Sequence, residues 1–184
     1  GDLAVGPALA LGVPEATLLT MTGAYAGILN GGSQVTPYGL LDLRIQGDNA
    51  VLMDAQGAGI GARIISETAA RELTWMMTRV VQDGTGRRAN IPGWEIAGNS
   101  SRDAWFVGFT GDYVTGVWMG YDDNRPLTGV TGGGLPAEIW RETMVRVLQG
   151  LQPVPLPLLV PQNAAPAGVL QSQGGEVVDD AIIN

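Results

Sequence analysis

Apolar and polar positions alternate most regularly in one central stretch of the chain, Ile91 to Asp123. Two runs in it, Asp103–Thr110 and Tyr113–Tyr121, have a period of two, and a shorter run, Trp94–Gly98, precedes them. Three of the five Trp and both Phe lie in this stretch. Because aromatic and β-branched residues at this period suit a half-buried pleated sheet, we predict a meander of three antiparallel strands.

Polar links rich in glycine separate the predicted strands. Thr110-Gly111-Asp112 reads as a hairpin turn, since Gly and Asp tolerate positive φ. A second hairpin is predicted earlier in the chain, with strands Leu40–Ile45 and Val51–Met53 around Gly47-Asp48-Asn49. Gly57–Gly61 is interpreted as a flexible connector.

Three other stretches repeat apolar residues at helical spacing. Thr17 and Ser66 are the predicted N-caps of the first two helices, which end at Asn30-Gly31-Gly32 and Asp83–Gly86, and the third helix starts at Pro136. Glu142 and Arg146 are predicted to pair on the third helix. Each helix is predicted to turn one apolar face inward. The face is Leu18, Met21, Tyr25, Ile28 and Leu29 in the first helix, Leu73, Met76, Met77, Val80 and Val81 in the second, and Ile139, Trp140, Met144, Val147 and Leu148 in the third.

The order of these elements predicts an α+β fold, in which an antiparallel sheet is covered by helices. The 184 residues suffice for one domain, which we place at residues 1–150, with Gly1–Pro14 irregular. From Leu151 the chain is rich in proline and has almost no periodicity. Residues 151–184 are therefore predicted to be a Pro-rich tail, extended or disordered.

The charge and the missing residue types restrict the chemistry more than the elements do. A net charge of −8 argues against a nucleic-acid partner. The chain has no Cys and no His, and all ten of its basic residues are Arg, which stays protonated at any useful pH. Only carboxylates are left as general bases near pH 7, and we expect no cofactor and no metal site. No apolar run is long enough for a membrane span.

Several of these segments resemble one known family. The runs DAWFVGFT and VTGVWMGYDD, the following PAEIW, the helix end VVQDGTGRRA and the segment GVPEATLLTMTGAYAGILNGG look like the C-terminal part of the transpeptidase domain of bifunctional (class A) penicillin-binding proteins. The resemblance covers roughly Leu9–Gly150. It implies a partial penicillin-binding transpeptidase, or β-lactamase-like, fold, with about three of the family's five sheet strands.

The resemblance also implies a reaction, acyl transfer through a serine ester, with the motifs Ser-x-x-Lys, Ser-x-Asn and Lys-Thr-Gly. The first two motifs would lie upstream of this chain. Where the family has Lys-Thr-Gly, this chain reads Ala97-Gly98-Asn99-Ser100-Ser101-Arg102-Asp103. We interpret Ala97, Gly98, Asn99 and Ser100 as the remnant of the active-site strand, at the edge of the substrate groove. A tight turn is predicted near Asn99–Ser101, and no catalytic residue is assigned.

The leading hypothesis is therefore an inert piece of a peptidoglycan transpeptidase. The resemblance implies that the longer parent protein is anchored to the inner membrane, faces the periplasm, has a separate glycosyltransferase domain, and binds the peptidoglycan stem peptide or β-lactams. The piece itself is predicted to be soluble. One alternative is a noncatalytic interaction module of the cell envelope, and another is an unrelated enzyme that uses only carboxylates.

The remaining polar motifs have simpler interpretations. Ser100 and Ser101 lie near Asp103, but an Asp/Ser pair alone is a weak nucleophilic system, and we interpret both as loop serines. Asp103 with Asp122 or Asp123 is the one carboxylate pair that suits glycosidase-like chemistry. A solvated pair is predicted at Arg87 and Arg88, with a role in holding a carboxylate as the alternative. The last motif, Thr131-Gly132-Gly133-Gly134, is interpreted as a turn.

Overall fold

The computed structural model describes residues 16–47, 50–55, 58–101, 104–121, 123 and 127–162. Within these ranges the chain forms three helices, seven strands and one 3-10 turn, at Arg87–Ala89. The elements in chain order are α1 (Leu18–Leu29), β1 (Ser33–Val35), β2 (Asp42–Arg44), β3 (Val51–Asp54), β4 (Ile60–Arg63), α2 (Glu67–Gln82), β5 (Ala97–Ser100), β6 (Trp105–Phe109), β7 (Val114–Trp118) and α3 (Leu135–Val147).

The central sheet is the predicted antiparallel meander, in the order β5-β6-β7. Its first strand begins later than the predicted Trp94–Gly98 and continues to Ser100. A turn precedes it, in which Gly93 has a φ of 85° and the Trp94 N–H donates to the Ile91 carbonyl at 3.1 Å. The ladder starts only at Ala97 because its partner, Phe109, is the last residue of β6.

The β6–β7 hairpin closes where the sequence predicts it. The Thr110 N–H donates to the Tyr113 carbonyl at 3.0 Å, and Phe109 pairs with Val114. Neither Gly111 nor Asp112 has a positive φ, so the conformational reason given for these residues is wrong. Gly111 is instead needed because another part of the chain lies against it, as described below.

Both faces of this sheet are buried, which confirms the α+β class. On one face Phe106 meets Trp140 of α3 edge-on, with ring centroids 5.5 Å apart, and the Trp140 Nε1–H donates to the Thr115 carbonyl at 3.0 Å. On the other face Phe109 packs with Met77 of α2 and with residues of α1. Phe106 and Phe109 reach opposite faces because successive side chains of a strand alternate.

The three predicted helices form: α1 and α2 have the predicted N-caps, and α3 begins at Leu135, one residue before the predicted Pro136. The hydroxyl groups of Thr17 and Ser66 accept hydrogen bonds from the N–H groups of Thr20 and Ala69. The apolar faces are narrower than predicted: Met76, Ile139 and Val147 are 49%, 38% and 42% exposed. They lie at the margins of the stripes, beyond the part that the sheet covers.

The predicted ion pair on α3 does not form. Arg146 donates to the Glu142 backbone carbonyl at 3.0 Å, and the Glu142 carboxylate pairs with Arg141 at 2.8 Å. Both alternatives are available because all three side chains lie on the exposed side of the helix, where such pairs differ little in free energy.

Two small antiparallel pairs lie between α1 and α2. The two predicted hairpin strands are confirmed as β2 and β3, where Leu43 pairs with Met53, while Asp48 and Asn49 of the predicted turn lie outside the described residues. A second pair, β1 with β4, was not predicted. It takes up Ile60 and Gly61 of the expected connector, whose first residue, Gly57, also lies outside the described residues. The pairing of Val35 with Ile60 and the bond from the Thr36 N–H to the Gly59 carbonyl at 2.7 Å order this end of the segment.

Beyond α3, residues 151–162 form neither helix nor strand. Leu156 is nevertheless buried, in the same cluster as Met77 and Phe109. The packed structure thus continues past the predicted domain end at residue 150, while most of the predicted tail, 163–184, and the predicted irregular segment Gly1–Pro14 lie outside the described residues. No helix in the described part of the chain is long and apolar enough to cross a membrane.

Candidate functional site at the edge strand

The four predicted groove residues, Ala97 to Ser100, are the four residues of β5, which is an outer strand of the sheet. Pairing with β6 is continuous along the strand, with Asn99 opposite Val107 and Ser100 opposite Phe106. The predicted turn near Asn99–Ser101 is therefore wrong, because Asn99 and Ser100 belong to the strand. The ladder bonds to β6 hold Asn99 and Ser100 extended despite their preference for turns.

Gly98 is at the centre of this strand for a packing reason. A Cβ atom on it would lie 2.9 Å from Phe106 Cζ and 3.2 Å from the Val107 carbonyl oxygen. Such distances leave no room for a side chain, so Gly98 lets β5 and the Phe106 ring approach each other closely. Ala97 beside it is fully buried, whereas Asn99 is exposed.

Asn99 is tied to α1 by its side chain. Its Nδ2 group donates to the Tyr25 hydroxyl oxygen at 3.1 Å. Burial raises the pKa of Tyr25 above its ordinary value, and the hydrogen bond from Asn99 acts in the opposite direction. Sequence reasoning places Tyr25 on the core face of its helix and misses this contact, because 74 residues separate the partners.

Ser100 meets the loop that follows α2. Its Oγ lies 2.6 Å from Thr85 Oγ1. That loop is the helix end that the sequence predicts, with Asp83 as C-cap and the Gly86 N–H donating to the Val80 carbonyl at 2.9 Å. The structure thus joins two predicted features, the Gly-Thr-Gly loop and the edge strand, that are far apart in the sequence.

A third glycine-rich segment closes the same end of the sheet. The Gly132 N–H donates to the Ser101 carbonyl at 2.8 Å. A Cβ on Gly133 would lie 2.1 Å from the Thr85 carbonyl oxygen. Thr131–Gly134 is therefore a turn, as predicted, and its glycines let three loops and the start of α3 converge beside Ser100.

The described groups assembled here exchange hydrogen bonds, and none of them is a base. Ser100 meets a hydroxyl group, Asn99 meets a phenol, and the Ser101 N–H donates to the Trp105 carbonyl at 3.1 Å. Tyr25, with its raised pKa, holds its proton at neutral pH. Two members of the candidate acid pairs, Asp103 and Asp122, lie outside the described residues. No group of three or more potential metal ligands occurs in the described ranges.

The arginine pair, Arg87 and Arg88, lies in the 3-10 turn that follows the Thr85 loop. Arg88 forms an ion pair with Glu138, and Arg141 donates from Nε to the Asn90 carbonyl at 3.1 Å. These residues line an open depression of about 510 Å³ together with Arg87, Pro92 and Glu142. The carboxylate that Arg88 holds in this structure is that of Glu138, in the same chain.

The chain matches the family model of the penicillin-binding protein transpeptidase domain over residues 5–144. It is 34% identical over 170 residues to penicillin-binding protein 1B of Escherichia coli, covering 89% of this chain and 19% of that protein. Against penicillin-binding protein 1A of Aquifex aeolicus it is 32% identical over 142 residues, covering 74% of this chain and 19% of that protein.

Solved structures agree with these matches. PonA1 from Mycobacterium tuberculosis, a penicillin-binding protein, superposes with a TM-score of 0.70 at 24% identity, covering 96% of this chain and 49% of that one. The D,D-transpeptidase domain of a peptidoglycan glycosyltransferase from Eggerthella lenta gives a TM-score of 0.59 at 26% identity, with coverages of 74% and 33%.

The chain belongs to the family of penicillin-binding protein transpeptidase domains. Its curated relatives include class A proteins named 1A and 1B, so the family resemblance seen in the sequence is confirmed. The chain spans about a fifth of the length of these relatives, 19% in both cases. It is therefore part of a transpeptidase domain.

Proposed function

We propose that this chain is the C-terminal portion of a transpeptidase domain whose parent cross-links peptidoglycan by acyl transfer, and that the portion is inert alone. The proposal rests on β5, the edge strand, which carries Asn99 and Ser100 in the sequence context where the family has Lys-Thr-Gly. In this proposal Ala97–Ser100 line the edge of the groove for the stem peptide or a β-lactam, and the parent works outside the cytoplasm.

The inertness follows from proton transfer. A serine hydroxyl is a weak nucleophile unless a base removes its proton, and such help contributes about 10²–10⁴-fold. The sequence contains no Lys and no His to provide it. Among the described residues the Ser100 hydroxyl forms its side-chain hydrogen bond with the Thr85 hydroxyl, at 2.6 Å, which is no stronger a base.

The test is incubation of the chain with a fluorescent penicillin, followed by a denaturing gel and intact mass. We expect no adduct on the chain and none on a Ser100→Ala variant. An equimolar mass increase that the Ser100→Ala change abolishes would make Ser100 a nucleophile and overturn the inertness.

A chimaeric protein tests the parent activity separately. It joins the upstream half of a class A transpeptidase domain to this chain, with Lys-Thr-Gly inserted between Gly98 and Asn99. We expect the chimaera to be labelled, and a matched chimaera with Ala-Thr-Gly inserted to be labelled far less. A folded Lys-Thr-Gly chimaera that takes up no label would contradict the proposed descent of β5 from an active-site strand.

A further inference from the structure

The segment that follows α3 lies in a groove of the same domain. Three prolines, Pro153, Pro155 and Pro157, alternate in it with Val154, Leu156 and Leu158. Each proline ring fixes its own φ, and each residue before a proline is confined to extended conformations. The segment therefore loses little conformational entropy when it lies down on a surface.

One side chain anchors this segment, which we call the strap (residues 153–159). Leu156 is only 5% exposed and packs with Met77 of α2, Ala97 of β5 and Phe109 of β6. Leu158 packs against the same cluster at its margin. Proline-rich segments suit recognition by grooves because their backbone is preordered.

Two backbone hydrogen bonds fix the direction of the strap. The Leu156 N–H donates to Glu95 Oε2 at 2.9 Å, and the Leu159 N–H donates to the Arg71 carbonyl at 3.1 Å. The acceptors come from the turn before β5 and from α2, so they bracket the pocket. Both bonds use strap backbone, so they require no particular side chain. Between them the strap turns at Pro157, where the Leu158 N–H donates to the Leu156 carbonyl at 2.9 Å.

The floor of the groove is Gly111, in the β6–β7 turn. A Cβ there would lie 2.5 Å from the Val154 carbonyl oxygen and 2.7 Å from Val154 Cγ1. Since its φ is not positive, no backbone conformation demands glycine at this position. Glycine is needed at position 111 because a side chain there would collide with Val154 of the strap.

We propose that this groove is a binding site for a proline-rich segment with an apolar residue between two prolines, and that the strap, residues 153–159 of this chain, fills it in cis as a removable ligand. Leu156 is buried and Leu158 half-buried, whereas Val154 is 41% and Leu159 43% exposed at either side of them. Two leucine side chains on one cluster and two hydrogen bonds to the rest of the domain thus hold the strap, a small contact that suits exchange. The inference goes beyond the proposed function and does not depend on it.

The first test frees the groove in the full chain with Leu156→Glu and adds a labelled peptide of residues 151–162. We expect the peptide to bind this variant at least ~10-fold more tightly than the parent chain, where the strap competes at an effective concentration on the order of millimolar. The matched Val160→Glu chain, changed at a position 55% exposed, should behave like the parent. A peptide with Glu in place of its own Leu156 should not bind.

Folding of the variant is checked by hydrogen exchange of the β6 and β7 amides. A Leu156→Glu chain that keeps this protection and binds no peptide overturns the proposal.

The second test leaves Leu156 in place and uses Gly111→Ala, whose methyl group must displace the Val154 backbone. We expect the Leu156 and Leu159 amides to exchange ~10-fold faster or more, while β6 and β7 keep the protection of the parent. Gly39→Ala is the control, because a Cβ there meets nothing within 4 Å. Unchanged exchange at Leu156, or loss of protection throughout the sheet, contradicts a removable strap. This result stands even if Leu156→Glu fails to fold.

Discussion

At the scale of single residues, Thr74 and Thr110 differ in what their buried hydroxyl groups meet. Both side chains are fully buried. Thr74 Oγ1 donates to the Ala70 carbonyl at 2.9 Å, one turn back along α2. Thr110 Oγ1 finds no hydrogen-bond partner among the described residues. A buried hydroxyl without a partner costs free energy that a bonded one does not.

Replacing each threonine by the similarly shaped valine should therefore act with opposite signs. Thr110→Val is expected to raise the free energy of unfolding by about 1 kcal/mol, and Thr74→Val to lower it by about 1 kcal/mol. The measurement is urea unfolding of the two variants and the parent, compared by midpoint at constant slope. Destabilisation by Thr110→Val would mean that the Thr110 hydroxyl has a hydrogen-bond partner.

Tyr25 makes the stability depend on pH in alkaline solution. Its pKa is raised above the ordinary 10.0, chiefly because burial disfavours the phenolate. The folded state thus holds this proton more tightly than the unfolded state does. The stabilisation of the folded state that comes from this tighter proton binding is fully present below pH 10, and it is lost as the pH rises through the folded-state pKa of Tyr25.

We expect Tyr25→Phe to lose less stability than the parent between about pH 8 and about pH 11, because the titrating group is gone. Asn99→Ala keeps the phenol and removes the hydrogen bond that lowers its pKa, so this variant should lose more stability than the parent over the same pH range. Urea unfolding at the two pH values measures both differences. Parallel loss in all three proteins would contradict the assignment to Tyr25.

At the scale of elements, the Thr131–Gly134 turn joins α3 to the ends of β5 and β6. The Ala137 N–H of α3 donates to the Gly132 carbonyl at 3.1 Å, and the Gly132 N–H donates to Ser101. A Cβ on Gly132 would lie 1.8 Å from the Trp105 carbonyl oxygen and 2.8 Å from the Ser101 backbone nitrogen. Since these neighbours are backbone atoms, no rotamer change can make room.

Gly132→Ala should therefore lower the free energy of unfolding by about 2–3 kcal/mol, the upper part of the range for overpacking. Gly39→Ala, where the added methyl group meets open space, should stay within about 0.5 kcal/mol of the parent. Thermal and urea unfolding of this matched pair test the contact. Equal stability of the two variants would show that the turn can move away from Trp105.

At the scale of the whole molecule, the two small β pairs expose many large apolar side chains. Leu52 and Ile64 are 59% and 69% exposed, in a chain of net charge −8. Apolar surface of this extent favours association, whereas the net charge opposes it. The other exposed apolar residues of this region are Tyr38, Leu40, Leu41, Leu43, Ile45, Val51, Met53, Ile60 and Ile65.

A Leu52→Ser/Ile64→Ser variant should associate less than the parent at high concentration and high salt, where the charges are screened. Its free energy of unfolding should change by no more than about 1 kcal/mol, since neither side chain is buried. Light scattering and urea unfolding measure the two quantities. If the variant associates as strongly as the parent, the molecules contact each other through a surface other than the two small β pairs.

Local patterns were sufficient for most of the elements. The period of two around Trp105 and Trp118 predicted the meander, and Thr17 and Ser66 predicted where two helices begin. The predicted ends of an element were wrong where contacts with other elements decide where it begins or ends. β5 starts late because β6 ends at Phe109, opposite Ala97, and it runs through Asn99 and Ser100 because β6 pairs with them.

The sequence by itself determined the helices, the central meander, the family, and the absence of Lys and His, because these depend on periodicity and residue identity. Only the tertiary structure decided the contacts of Tyr25 with Asn99 and of Thr85 with Ser100, and the burial of Leu156. These join residues far apart in the chain, and their free energy comes from packing and hydrogen bonds between elements. A periodic pattern records which face of an element is apolar, but not which distant residue will cover it.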